Sequence, residues 1–148
     1  MAVEMRLRGD GCRLVLRVDR YEYPDLRSGS DANWLTSEIE LTAGATGAFS
    51  VTQALALRTD ELEQFRDQLR RLDRELKGEA TLEHLEEEVG ITVRLSAGKG
   101  TLAGFVREHI GPELRFQDVE TDQSFVHQAL RELDAVVAAF PVRGDPWS

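Results

Sequence analysis

With 148 residues, 41% of them hydrophobic and 30% charged, the chain is too apolar and too patterned to be disordered, and one domain spanning 1–148 is expected. A globule of this length buries roughly 70% of its unfolded surface and needs no staple. Its formal charge of −9, from 27 acids against 18 bases, argues against direct DNA or RNA binding, speeds encounter with a basic partner, and equally serves to keep a bacterial protein dissolved. Cys12 is the single cysteine, which rules out an internal disulfide and a paired zinc-cysteine site. With no basic leader and no apolar run near about 18 residues, the expected setting is a reducing cytoplasm, away from any membrane.

Val3, Met5 and Leu7, then Leu14, Leu16 and Val18, alternate about Gly9-Asp10-Gly11 and predict a β-hairpin over 3–8 and 12–21. Tyr21-Glu22-Tyr23-Pro24-Asp25 leaves that strand, and Pro24 and Gly29 keep the chain irregular as far as Asn33. From Trp34 a period of two returns, with Leu35, Ser37, Ile39 and Leu41 on one face and Thr36, Glu38 and Glu40 on the other. A turn over Gly44 to Gly47 leads to a further strand, Ala48 to Leu57. The period then changes: Leu62, Phe65, Leu69, Leu72 and Leu76 step by three and four, with acids first and bases last, which predicts a helix over 59–77 capped by Thr59 or Asp60 and ended by Gly78.

Strands over 80–88, 91–97, 101–108 and 114–119 follow, then a helix over 122–140 with Phe125, Ala129, Leu133, Val136 and Phe140 on one stripe. The expected fold class is therefore α+β, a largely antiparallel sheet of about eight strands carrying two amphipathic helices in the order ββββαββββα. "TDELEQFRDQLRRLD" (59–73) and "TDQSFVHQALRELD" (121–134) match with one residue of slippage, which suggests an internal duplication with halves 1–78 and 79–141. Pro141 and Pro146 in the segment Pro141 to Ser148 make 142–148 a flexible tail by expectation.

Catalytic signals are sparse. Gly98-Lys-Gly100-Thr-Leu-Ala103 has the spacing of a dinucleotide-binding turn, with Asp118 where a ribose-binding acid would stand, but Gly104 interrupts the helix it needs and no parallel βαβ partner precedes it. A hairpin turn is the alternative. His84, His109 and His127 fall on three elements without the pairing that aims two ligands at one metal, so neither metal nor cofactor is expected. The acids of Leu82-Glu-His-Leu-Glu-Glu-Glu88 form either a solvated edge or a face for a basic partner. There is no Gly-x-Ser-x-Gly elbow, and Cys12 begins an apolar strand where burial quiets a thiol, so no enzymatic activity is expected.

Trp34 is either an aromatic anchor for a partner or a large residue covering a sheet end, and Asp31 and Asn33 in the bland case satisfy the turn. Through "DANWLTSEIEL" (31–41), "LRTDELEQFRDQLRRLDRELKGEATLE" (57–83) and "LRFQDVETDQSFVHQALRELDAVVAAFPV" (114–142), the sequence resembles the WapI-type immunity proteins of bacterial contact-dependent or polymorphic toxin systems. The resemblance implies a cytoplasmic, non-enzymatic protein that binds and blocks the carboxy-terminal domain of a cognate toxin, typically a nuclease. It transfers no binding residue. The candidate partner-binding residues, chosen from the loop and the outer strand face, are Tyr21, Tyr23, Asp25, Asp31, Trp34, Glu38 and Glu40, with Glu86, Glu87 and Glu88 as a second acidic patch. The competing readings are a small-ligand or nucleotide-binding domain built on Gly98 to Gly104 and a self-associating structural module; a homodimer stays open.

Overall fold

The computed structural model describes residues 2–44, 46 and 48–148. Alternating strands joined by short turns pair with their sequence neighbours, and the chain does this twice. The first antiparallel meander is β1 (Val3–Gly9), β2 (Cys12–Tyr21), β3 (Trp34–Ala43) and β4 (Phe49–Arg58). The second is β5 (Gly78–Glu83), β6 (Val89–Ser96), β7 (Lys99–Arg107) and β8 (Glu113–Asp122). Helix α1 (Thr59–Glu75) follows the first and α2 (Gln123–Ala139) the second, so the order is ββββαββββα as the periodicity predicts, with the strands divided between two four-stranded sheets. Of the turn predicted at Gly44 to Gly47, Ala45 and Gly47 lie outside the described residues.

Each helix lies against the first strand of the other meander, α1 on β5 and α2 on β1, and the two helices pack on each other. The sheet edges explain the exchange. Gln68 Oε1 accepts the Thr81 N–H at 2.8 Å, and Glu132 Oε1 accepts the Arg6 N–H at 2.8 Å, so the same position in each helix covers an edge strand that would otherwise pair with a stranger. At the free side of β1, Asp10 N–H donates to Glu120 O and Thr121 Oγ1 donates to Arg8 O, both at 2.8 Å, which joins the two sheets. Met5, Leu16, Ile39 and Leu57 from one sheet, Leu82, Ile91, Val93 and Leu102 from the other, and Phe65, Leu69, Val126 and Leu133 from the helices form one continuous core. Each such side chain contributes about 1.5–3 kcal/mol on leaving water.

Several boundaries differ from expectation, each for a local reason. Helix α1 starts after Arg58, whose N–H is accepted by Glu61 Oε1 at 2.8 Å, because Thr59 is drawn away to Asn33 and Asp60 to the Arg58 side chain. It ends at Glu75, where Leu76 takes the left-handed conformation and donates its N–H to Leu72 O; Gly78 begins β5. Asp60 thus sits inside the first turn of α1 whereas Asp122 is the N-cap of α2, so the two similar segments match in letters and not position by position. The strand predicted over 80–88 stops at Glu83, because His84 binds two backbone groups at once and Glu87 turns to φ 56°. The segment Lys99–Arg107 is a strand, and Ala97 and Gly98, both at positive φ, form the two-residue hairpin turn before it. Gly100 allows the close approach that β7 needs, since a Cβ there would lie 1.6 Å from Arg94 O. With no helix after the turn, the dinucleotide-binding reading of Gly98 to Gly104 loses the helix N-terminus it depends on.

Candidate functional site

The loop that enters β3 is held by a buried arginine. Arg58 has no exposed side-chain surface: Nε donates to Asp60 Oδ1 at 3.0 Å, Nη1 to Ser30 O and Oγ at 3.1 Å, and Nη2 to Pro146 O at 2.6 Å. Its guanidinium lies 4.8 Å from the ring centroid of Trp34 and 4.4 Å from that of Trp147, so both tryptophans of the chain bracket one cation. Asn33, fully buried, completes the arrangement. Its Nδ2 donates to Gly29 O and Arg143 O, and its Oδ1 accepts from Thr59 Oγ1 and the Arg143 N–H, which satisfies every hydrogen-bonding position the amide has.

Residues 142–148, expected to be a flexible tail, therefore run across the β2–β3 loop. Ser148 O accepts the Ser30 N–H and Asp145 O the Gly29 N–H. Tyr21 belongs to the same clasp. Its hydroxyl donates to Pro141 O at 2.6 Å, its ring meets Phe140 edge-on, and Arg143 sits over it at 3.4 Å. Tyr21 and Trp34, both predicted to meet a partner, are thus engaged within the chain. Tyr23, Asp25 and Asp31 stay exposed on the loop.

The acidic residues divide into two environments. Glu38 and Glu40 point outward from β3, as the alternation predicts, into a ladder centred on Arg17, whose guanidinium lies 3.1 Å from Glu38, 2.9 Å from Glu40 and 3.0 Å from Glu4. Glu40 and then Glu4 hold the Arg17 charge more firmly than usual. Glu86 and Glu88, in contrast, border a groove of about 340 Å³ with Glu22 from the end of β2, Thr36 from β3, and Ala54 and Ala56 from β4. The fold brings Glu22, absent from the predicted set, beside two members of it. Glu87 departs from them and pairs with Arg107 at 3.3 Å, toward a groove of about 560 Å³ on the outer face of the second sheet.

The turn that presents Glu86 and Glu88 is fixed from beneath. His84 is buried, with Nδ1 accepting the Glu88 N–H at 3.1 Å and Nε2 facing Ala56 O at 2.9 Å, an arrangement that assigns the proton to Nε2. Glu61 accepts the Leu85 N–H, and burial pushes its carboxyl above the usual range despite the N–H groups of Arg58 and Leu85. Burial, then the hydrogen bond and charge of Glu86, likewise push Glu88 upward. His109 lies in the β7–β8 connection, and His127 meets Asp73 at 3.0 Å between the two helices. Cys12 is buried, and that burial raises its thiol. Sequence reasoning missed Arg58 because an arginine closing a strand reads as a surface residue; the only signal was a cation between two elements in a chain with just two tryptophans.

What the geometry defines is an α+β domain whose buried polar groups hold loops and turns in place and which gathers Glu22, Glu86 and Glu88 along one groove beside the first sheet. The chain matches the family model of the WapI-like immunity proteins over residues 5–141, and it belongs to that family. Membership implies a toxin protein as partner. The match takes in nearly all of both meanders and both helices. No curated protein matches the chain. Among the described residues no helix is long and apolar enough to cross a membrane.

Proposed function

We propose that this protein neutralises, without catalysis and in the cytoplasm, the carboxy-terminal domain of a cognate bacterial toxin, and that the toxin is basic, of the nuclease class. A domain that cleaves a nucleic acid must hold a phosphate backbone and carries positive charge in its cleft. A chain with net charge −9 steers toward such a cleft and competes for it. The observation that carries the reading is family membership over 5–141; the acidic groove of Glu22, Glu86 and Glu88 supports the sign of the partner.

On this reading the contact surface is the open side of the first sheet, with Glu38, Glu40, Glu86 and Glu88 together with exposed Tyr23, Asp25 and Asp31, while Glu87 stands at its border. Tyr21 and Trp34 act by holding the loop in shape. Co-expression with the toxin domain encoded beside it tests the proposal. Cells survive and the two chains co-purify if it holds; a folded protein that leaves the toxin lethal and forms no complex refutes it.

A further inference from the structure

The longest stretch of this chain without a charge runs from Leu41 to Leu57, in a sequence in which 30% of residues are charged, and it holds all of β4, an outermost strand of the first sheet, except its last residue, the buried Arg58. Edge strands in stable proteins are ordinarily blunted by lysine, proline or a covering element. β1 and β5 follow that rule, through Glu132, Thr121 and Gln68. β4 does not. Ala56 lends its carbonyl to His84, which lies outside the sheet, so by antiparallel alternation the N–H and C=O groups of Ser50, Thr52 and Ala54 also point away from β3. Among the described residues none of these groups has a hydrogen-bond partner, and all three residues are exposed.

We propose that this edge, Ser50 to Ala54, is where the toxin domain docks, by adding an extended segment of its own as a fifth strand with a lysine or arginine placed at the Glu86–Glu88 end. The inference rests on the toxin-neutralising reading and supplies its mode of contact. Main-chain pairing gives affinity without demanding a particular sequence, and the flanking side chains give selectivity. The groove of Glu22, Glu86 and Glu88 begins where the free edge ends, at Ala54 and Ala56, and these three acids have no ion pair among the described residues. A basic side chain on the added strand offsets the negative charge of Glu86, which stands beside Glu88 in the same groove. Glu40 and Glu38 stand beside Thr52 and Ala54 in register, and those small side chains leave a long cation free to reach over them. A second copy of this chain fits less well: each carries −9, and the uncharged edge from Ser50 to Ala54 offers no cation to Glu86 and Glu88.

Hydrogen exchange on the whole protein, free and with the catalytically inactivated toxin domain encoded beside it, tests the contact. The amides of Ser50, Thr52 and Ala54 slow by about tenfold or more in the complex, while those of Val51, Gln53 and Leu55, already in the ladder, change little. Thr52→Pro removes an outward N–H and no ladder bond, and it weakens toxin binding by about tenfold or more. Glu86→Gln with Glu88→Gln weakens it and flattens its salt dependence. If the unaltered protein binds the toxin and the three amides exchange in the complex as they do in the free chain, the edge is not the contact, although the toxin-neutralising function stands. If the free protein is a dimer by light scattering with the same three amides protected, the occupant is a second copy and the proposal is overturned. If the unaltered protein fails to bind at all, it is the functional reading that fails.

Discussion

Replacing Arg58 by alanine removes a cation that four parts of the chain share: the β2–β3 loop through Ser30, β3 through Trp34, the start of α1 through Asp60, and the tail through Pro146 and Trp147. Asp60 keeps only 9% of its side-chain surface in water and would be left buried without its partner. Breaking a buried pair from one side costs about 3–5 kcal/mol, because the surviving charge is uncompensated. The bonds to Ser30 and Pro146 add to the loss only so far as water does not replace them once the tail lifts. An Arg58→Ala loss of about 3–5 kcal/mol corresponds to a fall of roughly 6–20 °C in Tm for a domain of this size. Urea denaturation measures the loss, and tryptophan emission shifts to the red as Trp34 and Trp147 part from the guanidinium. Arg58→Lys recovers only part of the stability, since an ammonium cannot span Asp60, Ser30 and Pro146 from one plane. Removing 143–148 costs less in the Arg58→Ala background than in the native one, because the two changes delete the same contacts. A loss under about 1 kcal/mol with unchanged emission refutes the clasp.

Three further outcomes follow from the core and the titrating groups. Phe65→Ala empties a fully buried site between α1 and the sheets and costs about 3–5 kcal/mol by chemical denaturation. Glu61 has a folded pKa raised above its usual value, so more protons are bound in the folded state, and the stability it contributes is full below about 4.5 and declines as pH rises through the folded pKa; the advantage of the native protein over Glu61→Gln, followed by urea titration from pH 4 to 8, therefore shrinks as pH rises. Asp122 shows the opposite sign, because the Ser124 hydroxyl and then the Phe125 N–H lower its pKa: the Tm gap between the native protein and Asp122→Ala is present at neutral pH and narrows as pH falls below about 3.8.

Strand alternation and helical stepping are local properties, and the order of ten elements could be read from them. Leu35, Ile39 and Leu41 face inward and Thr36, Glu38 and Glu40 outward as the period of two requires. The failures occur where a side chain far away in sequence decides a local conformation. The strand expected over 80–88 stops at Glu83, and Leu85 is exposed, because His84 is committed to Ala56 O and to the Glu88 N–H. The tail carries no pattern of its own, and its place is set by Asn33, 110 residues away from Arg143. Of the candidate surface, the acids were legible as acids. Their grouping was not: Glu22 joins Glu86 and Glu88 only because the turn after β5 reaches across to β4, and Glu87 leaves them because its positive φ points it toward Arg107. Trp34 beside Asn33 reads as a recognition surface in the sequence, and in the fold its half-buried ring also forms one wall of the Arg58 site.

The dissociation constant for the neighbouring toxin domain, measured by calorimetry over a salt series, tests the central claim most directly. The account predicts a stable complex whose affinity falls as salt rises, with a shallower fall for Glu86→Gln combined with Glu88→Gln, because acids on the open side of the first sheet meet cations of the toxin. Tight binding that ignores both salt and these substitutions would contradict it.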